Sequence, residues 1–144
     1  MNWVLDTSVA ASWLLDDAGA GQAYAMVALR ELETADGQAL VPSIWGLELA
    51  SVILKAERQG LLTEERAARF LMMLSALPIV ADGRTAHHAL TTTLQLARQY
   101  RLSSYDAAYL ELAQRLSLPL ATLDDALRRA ARKAGVTLFK PGRA

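Results

Sequence analysis

Short apolar runs alternate with longer stretches of helical periodicity along the whole of this 144-residue chain. The short runs are residues 2–5, 38–41, 79–81, 119–122 and 136–139, and they read as buried strands. Between them lie helical stretches at 7–15, 20–33 and 42–59, from Thr63 to near Leu77, and at 84–99. Two more run from Ser103 or Ser104 to Leu116 and over 124–134. Strands separated by helices pair in parallel and are covered on both faces. The expectation is an α/β fold with a central parallel sheet, in one domain over residues 1–144.

The apolar faces of the helices follow the same logic. They comprise Val9, Ala10, Trp13 and Leu14; Tyr24, Val27 and Ala28; Ala86, Leu90, Leu94 and Ala97; and Ala108, Tyr109, Leu112, Ala113 and Leu116. Breaks are expected at Asp16–Gly19 and Thr34–Gly37. Pro42 opens a helix that Gly60 stops, Thr63 caps the next, and Gly135 ends the last.

Composition narrows the chemistry. The 53% hydrophobic content is ample for a core and too high for disorder. No cysteine is present, which excludes disulfides, zinc–thiolate sites and a thiol nucleophile, and agrees with a reducing cytoplasm. The first residues lack a basic secretory leader, and no apolar stretch is long enough to span a bilayer. Charge is balanced at 15 basic and 15 acidic residues, but residues 1–72 carry a net −5 and residues 73–144 a net +5. The late basic group is Arg128, Arg129, Arg132, Lys133, Lys140 and Arg143. It suits a phosphate backbone, and equally a solvated helix face near a C-terminus.

Four carboxylates stand out: Asp6, Glu48, Asp106 and Asp124. In a parallel α/β sheet, sites form beyond the carboxyl ends of the strands. Asp6 and Asp124 follow strands, and helices bring Glu48 and Asp106 towards the same edge. Acids gathered without bases raise one another's pKa, and a divalent cation relieves that. Hard oxygen donors with no Cys or His beside them suit Mg²⁺ or Mn²⁺.

Each acid also has a plainer explanation. Asp6 and Asp124 fit N-caps, worth about 1 kcal/mol. Ser103 and Asp106 resemble a capping box with Asp in place of Glu. Glu48 is read as mid-helix, among Ile44, Trp45, Leu49 and Val52. Lys55 is beyond i,i+4 pairing, so Glu48 must be paired, ligate a metal, or sit at the lip of a cleft. Thr7, Ser8 and Thr122 flank the acids and suit a ligand or a helix end. His87 and His88 are adjacent, so they cannot share one helix face. Gly-rich phosphate loops, nucleophile elbows and H-E-x-x-H motifs are absent.

These residues resemble a known family, the PIN-domain ribonucleases, and most closely the VapC-type toxins of bacterial toxin–antitoxin pairs. Val4-Leu5-Asp6-Thr7-Ser8-Val9-Ala10 with Trp13 is similar to the family's first acidic motif. Pro42-Ser43-Ile44-Trp45-Gly46-Leu47-Glu48 resembles the second. Ser104-Tyr105-Asp106-Ala107-Ala108-Tyr109 resembles the third, and Leu120-Ala121-Thr122-Leu123-Asp124-Asp125-Ala126-Leu127 the fourth. Ser12 stands where many members carry a Lys.

The resemblance implies a three-layer α/β/α sandwich and a Mg²⁺- or Mn²⁺-dependent endoribonuclease acting in the cytoplasm. It also implies a cognate VapB-type antitoxin, with Trp13, Tyr24 and Trp45 as contact candidates, and a homodimer. Asp6 and Asp106 are then the principal metal ligands, with Glu48 and Asp124 completing the pocket. Two rivals compete. A catalytically inactive PIN-like binding module would bind a cation without turnover. A phosphotransfer receiver domain would need a phospho-accepting Asp after a middle strand and a Lys at a later strand end. Asp82 and Lys133 meet those needs poorly.

Overall fold

The computed structural model of the protein describes residues 1–15, 20–34 and 36–140. The strands are β1 (Trp3–Leu5), β2 (Ala39–Val41), β3 (Ile79–Ala81) and β4 (Leu120–Ala121). They form one sheet in the order β3-β2-β1-β4, and every pairing is parallel. The helices are α1 (Thr7–Leu14), α2 (Ala20–Thr34), α3 (Trp45–Arg58), α4 (Glu64–Ser75), α5 (Thr85–His88), α6 (Leu94–Tyr100), α7 (Ser104–Leu116) and α8 (Asp125–Lys133).

Strand alternation builds the three layers. Successive strand side chains point to opposite faces. Val4, Leu40 and Leu120 therefore pack with Tyr109, Leu112, Leu127 and Ala131 of α7 and α8. Trp3, Leu5, Ala39, Val41 and Ala121 pack on the other face with Val9, Ala25, Ala28 and Leu32 of α1 and α2. A third cluster seats α3 and α4 beside α1, through Ala10, Leu14, Ile53 and Phe70. The chain is thus an α/β/α sandwich around a parallel sheet.

Helix α7 is buried without interruption from Ala107 to Ala113, as expected of a helix enclosed on several sides. Leu110 and Leu112 are wholly covered, so truncating either to Ala costs about 2–5 kcal/mol. Glu111 is tolerated there because Arg115 meets it at 2.7 Å and grips Asp82, just past β3, at 2.6 Å. Burial alone would raise a carboxyl, but the Arg115 guanidinium holds Asp82 below its usual range. Gly60 and Gly135 end α3 and α8 with φ of 73° and 76°, a conformation that favours glycine. Thr63 caps α4, accepting the N–H of Arg66.

Several expectations need correction. The helix after Pro42 begins at Trp45 rather than at the proline, because a turn intervenes at Ser43–Ile44. Residues 136–139 do not form a full strand; Leu138 makes a single parallel bridge to Leu120. The stretch 84–99 is not one regular helix, since a π-helical turn at Ala89–Thr93 separates α5 from α6. That turn shifts the buried face onto Thr93 and Leu96, and leaves Leu90 84% exposed. Leu116, expected in the core, is also exposed. The break expected at Asp16–Gly19 lies outside the described residues, as do Ala35 of the next turn and Arg143. Among the described residues, no helix is long and apolar enough to cross a membrane.

Candidate active site

The carboxyl ends of the strands collect the four acids. Asp6 leaves β1, and its N–H is bound by the Ala121 carbonyl of neighbouring β4 at 3.0 Å. Asp124 lies at the N-cap of α8. Glu48 and Asp106 stand in the first turns of α3 and α7. Glu48 is therefore not mid-helix, although its side chain caps nothing: the α3 N-cap makes no side-chain hydrogen bond.

Asp6 occupies an N-cap position but does not cap α1 with its side chain. Its Oδ2 instead accepts the hydroxyls of Ser8 at 2.6 Å and Thr122 at 2.7 Å. Both hydroxyls have a fixed polarity, because each also accepts a backbone N–H, which can only donate. Ser8 accepts that of Leu123 and Thr122 that of Asp124, both at 3.0 Å. The first acid is thereby tied to the loop carrying the fourth. Asp124 does cap its helix, accepting the Leu127 N–H at 2.8 Å through Oδ1.

The charges of Glu48 and Asp124 bear on both Asp6 and Asp106. Burial is the main cause that raises the Asp6 carboxyl, and Glu48 and Asp124 raise it further against the two hydroxyls. Asp106 is pushed up to about 6, first by burial and then by Asp6, Asp124 and Glu48, with Ser103 opposing. Asp125 is exposed and enters neither balance, whereas Asp124 enters both. Among the described residues, no Arg or Lys bonds any of the four; only Arg115 forms ion pairs, with Asp82 and Glu111.

This coupling is not convergence. Among the described residues, no three acidic or histidine side chains stand close enough to share one ion. One oxygen of each of three acids is already engaged: Oδ2 of Asp6, Oε1 of Glu48 and Oδ1 of Asp124. The donor set still suits a hard cation, since Mg²⁺ typically takes one or two carboxylates and keeps several waters.

Glu48 reaches the lip of a cleft of about 470 Å³ lined by Thr7, Ile44, Leu47, Ser51, Val52 and Tyr105. Its Oε1 accepts the Tyr109 hydroxyl, with Thr7 Oγ1 at 3.1 Å. Sequence reasoning placed Tyr109 in the core and at the end of the third motif, but gave it no role at the site. Its position three residues after Asp106, on one face of α7, was the available signal. Burial, and then its bond to Glu48, raise the Tyr109 phenol well above its usual range, so it remains a donor.

The other candidates fall elsewhere. Trp13 Nε1 donates to the Ala25 carbonyl and the Tyr24 hydroxyl to that of Phe139, so both serve the fold. Trp45 lines a separate, largely apolar groove with Leu49, Ile53, Leu54, Leu71 and Ile79, in which none of the described lining residues is titratable. His87 is exposed and edge-on to His88. Arg128 lies over the Tyr24 ring and donates to the Thr122 carbonyl at 2.8 Å. Arg129, Arg132 and Lys133 are exposed along α8.

Comparison with known proteins agrees with this architecture. Ribonuclease VapC3 of Pyrobaculum aerophilum is 30% identical over 125 residues, covering 86% of this chain and 90% of that protein. The structure is similar to VapBC2 from Rickettsia felis bound to a promoter DNA fragment, with a TM-score of 0.66, 16% identity, and coverage of 99% and 100% of the two chains. It is also similar to a toxin–antitoxin complex from Klebsiella pneumoniae, with a TM-score of 0.53, 22% identity, and coverage of 85% and 86%. The PIN domain matches residues 3–133, and this chain belongs to the PIN-domain family.

Proposed function

We propose that this protein is a divalent-cation-dependent endoribonuclease, the toxin of a toxin–antitoxin pair, acting in the cytoplasm as a single domain over residues 1–144. The observation that carries the reading is that Glu48 and Asp124 raise both Asp6 and Asp106, while among the described residues no Arg or Lys pairs with any of the four. The 30% identity to a ribonuclease supports RNA as the substrate.

Asp6 and Asp106 would hold Mg²⁺ or Mn²⁺, directly or through water, with Glu48 and Asp124 completing the pocket. Such a cation, when bound, lowers the pKa of water and offsets charge developing at phosphorus. The chain's own part is orientation. Ser8 and Thr122 hold one oxygen of Asp6, and Tyr109 donates to one oxygen of Glu48. Exposed Arg129, Arg132 and Lys133 would meet the RNA backbone. No nucleophilic side chain is required.

The test is incubation of purified, antitoxin-free protein with total RNA and Mg²⁺ or Mn²⁺, with EDTA and Asp6→Asn protein in parallel. Discrete fragments that vanish in both controls support the reading. Cation binding without cleavage of any RNA would favour an inactive binding module. The likeness to a toxin–antitoxin complex supports an antitoxin partner, which co-purification with the product of the neighbouring reading frame checks. Light scattering checks the homodimer.

A further inference from the structure

The hydroxyl of Tyr109 stands where three helices meet. It lies 2.8 Å from Thr7 Oγ1 of α1 and donates to Glu48 Oε1 of α3, while Tyr109 belongs to α7. Thr7 Oγ1 is 3.1 Å from the same carboxylate oxygen. Three contacts thus share two hydroxyl protons. Tyr109 gives its proton to Glu48 in the shortest of them, and Thr7 gives its own to Tyr109 or to Glu48. Oε1 is engaged in either case, and Oε2 has no hydrogen-bond partner among the described residues.

The two ends of this contact differ in freedom. Tyr109 is wholly buried among Leu110, Leu112 and Leu120, and a close-packed ring has one position for its hydroxyl. Glu48 is a longer side chain at the lip of an open cleft. An unanchored Glu there would sample several rotamers and lose their entropy on meeting a ligand. The buried hydroxyl removes that freedom beforehand.

We propose that Tyr109 is a positioning residue for Glu48, holding Oε1 so that the carboxylate offers a divalent cation one fixed oxygen. This rests on the reading of the four acids as a cation site. Outer-layer hydrogen bonds of this kind change metal affinity by about 10–100-fold.

The test is direct binding of Mn²⁺ alone to the full chain, by calorimetry and electron paramagnetic resonance, without RNA. Five proteins are compared: wild type, Tyr109→Phe, Glu48→Ala, the double variant of these two, and Thr7→Val. Tyr109→Phe should weaken Mn²⁺ by about tenfold while far-UV circular dichroism is unchanged. In the Glu48→Ala background the same substitution should have almost no effect. Thr7→Val, which removes the other hydroxyl, should weaken binding in the same sense. An equal loss in both backgrounds would show that Tyr109 acts elsewhere and overturn the proposal. So would a lowered Tm with unchanged Mn²⁺ affinity. Wild-type protein that takes up no Mn²⁺ would remove the cation reading itself, a result distinct from both.

Discussion

Thr122 donates its hydroxyl proton to Asp6 over 2.7 Å and accepts the N–H of Asp124 over 3.0 Å. One fully buried side chain therefore joins the first acid to the fourth. Thr122→Val keeps the shape and deletes both bonds. It leaves the part-buried Asp124 N–H without its acceptor and should cost about 1 kcal/mol, read by chemical denaturation. Cleavage should fall with it, because Asp6 loses one of two donors.

The raised carboxyl of Asp106 sets a pH dependence. Its ordinary value is 3.8 and its folded value about 6, so between those limits the native state binds more protons than the unfolded one. Stability of the cation-free protein should therefore fall as pH rises from 4 to 6. Asp6, also raised, adds in the same direction. Divalent cations should reverse the trend at neutral pH, and Mn²⁺ affinity should decline as pH drops below 6. Thermal scans at several pH values, with and without Mn²⁺, check the sign.

Asp106→Asn should abolish cleavage and yet stabilise the cation-free protein at pH 7.5. After discounting for the half-exposed position, the gain is about 1 kcal/mol, or about 2–4 °C in Tm. Asp6→Asn should also abolish cleavage. An inactive Asp106→Asn protein with a lowered Tm would instead assign Asp106 to helix capping.

Arg115 provides the contrast. It bridges Glu111 and Asp82 at 2.7 and 2.6 Å, and neither partner enters the balance at Asp6. Arg115→Ala would leave a buried carboxylate alone and destabilise by about 3 kcal/mol. Mn²⁺ affinity of the folded fraction should not change. Urea unfolding and Mn²⁺ titration of the same preparation separate the two effects.

Much of this arrangement was legible in the chain. The continuous apolar run Trp3-Val4-Leu5, buried throughout, and the strand–helix alternation imply a parallel sheet covered on both faces. Asp6, Asp106 and Asp124 were visible because of where their elements begin or end, and Glu48 because a carboxylate stood among apolar neighbours. Tyr109 was not, because a buried aromatic at helical spacing looks the same whether or not its hydroxyl has a task. Capping was also ambiguous in the sequence: Asp6 and Asp124 both occupy N-cap positions, and only Asp124 uses its side chain there. What separates them is the loop after β4, which folds back onto Asp6 through contacts more than a hundred residues apart.

The π-helical turn at Ala89–Thr93 carries one residue more than the α-helical path would need. Without it, Leu90 would share a face with Leu94 and Ala97, as the periodicity of this stretch suggests. With it, the downstream half is rotated so that Leu96 reaches α7. A one-residue deletion within this turn should be absorbed as plain α-helix with α6 still seated, whereas the same deletion inside α7 would turn its packed face away from the sheet. Relatives that lack the extra residue should align with a single gap here, and the segment should tolerate length change where the rest of the scaffold does not.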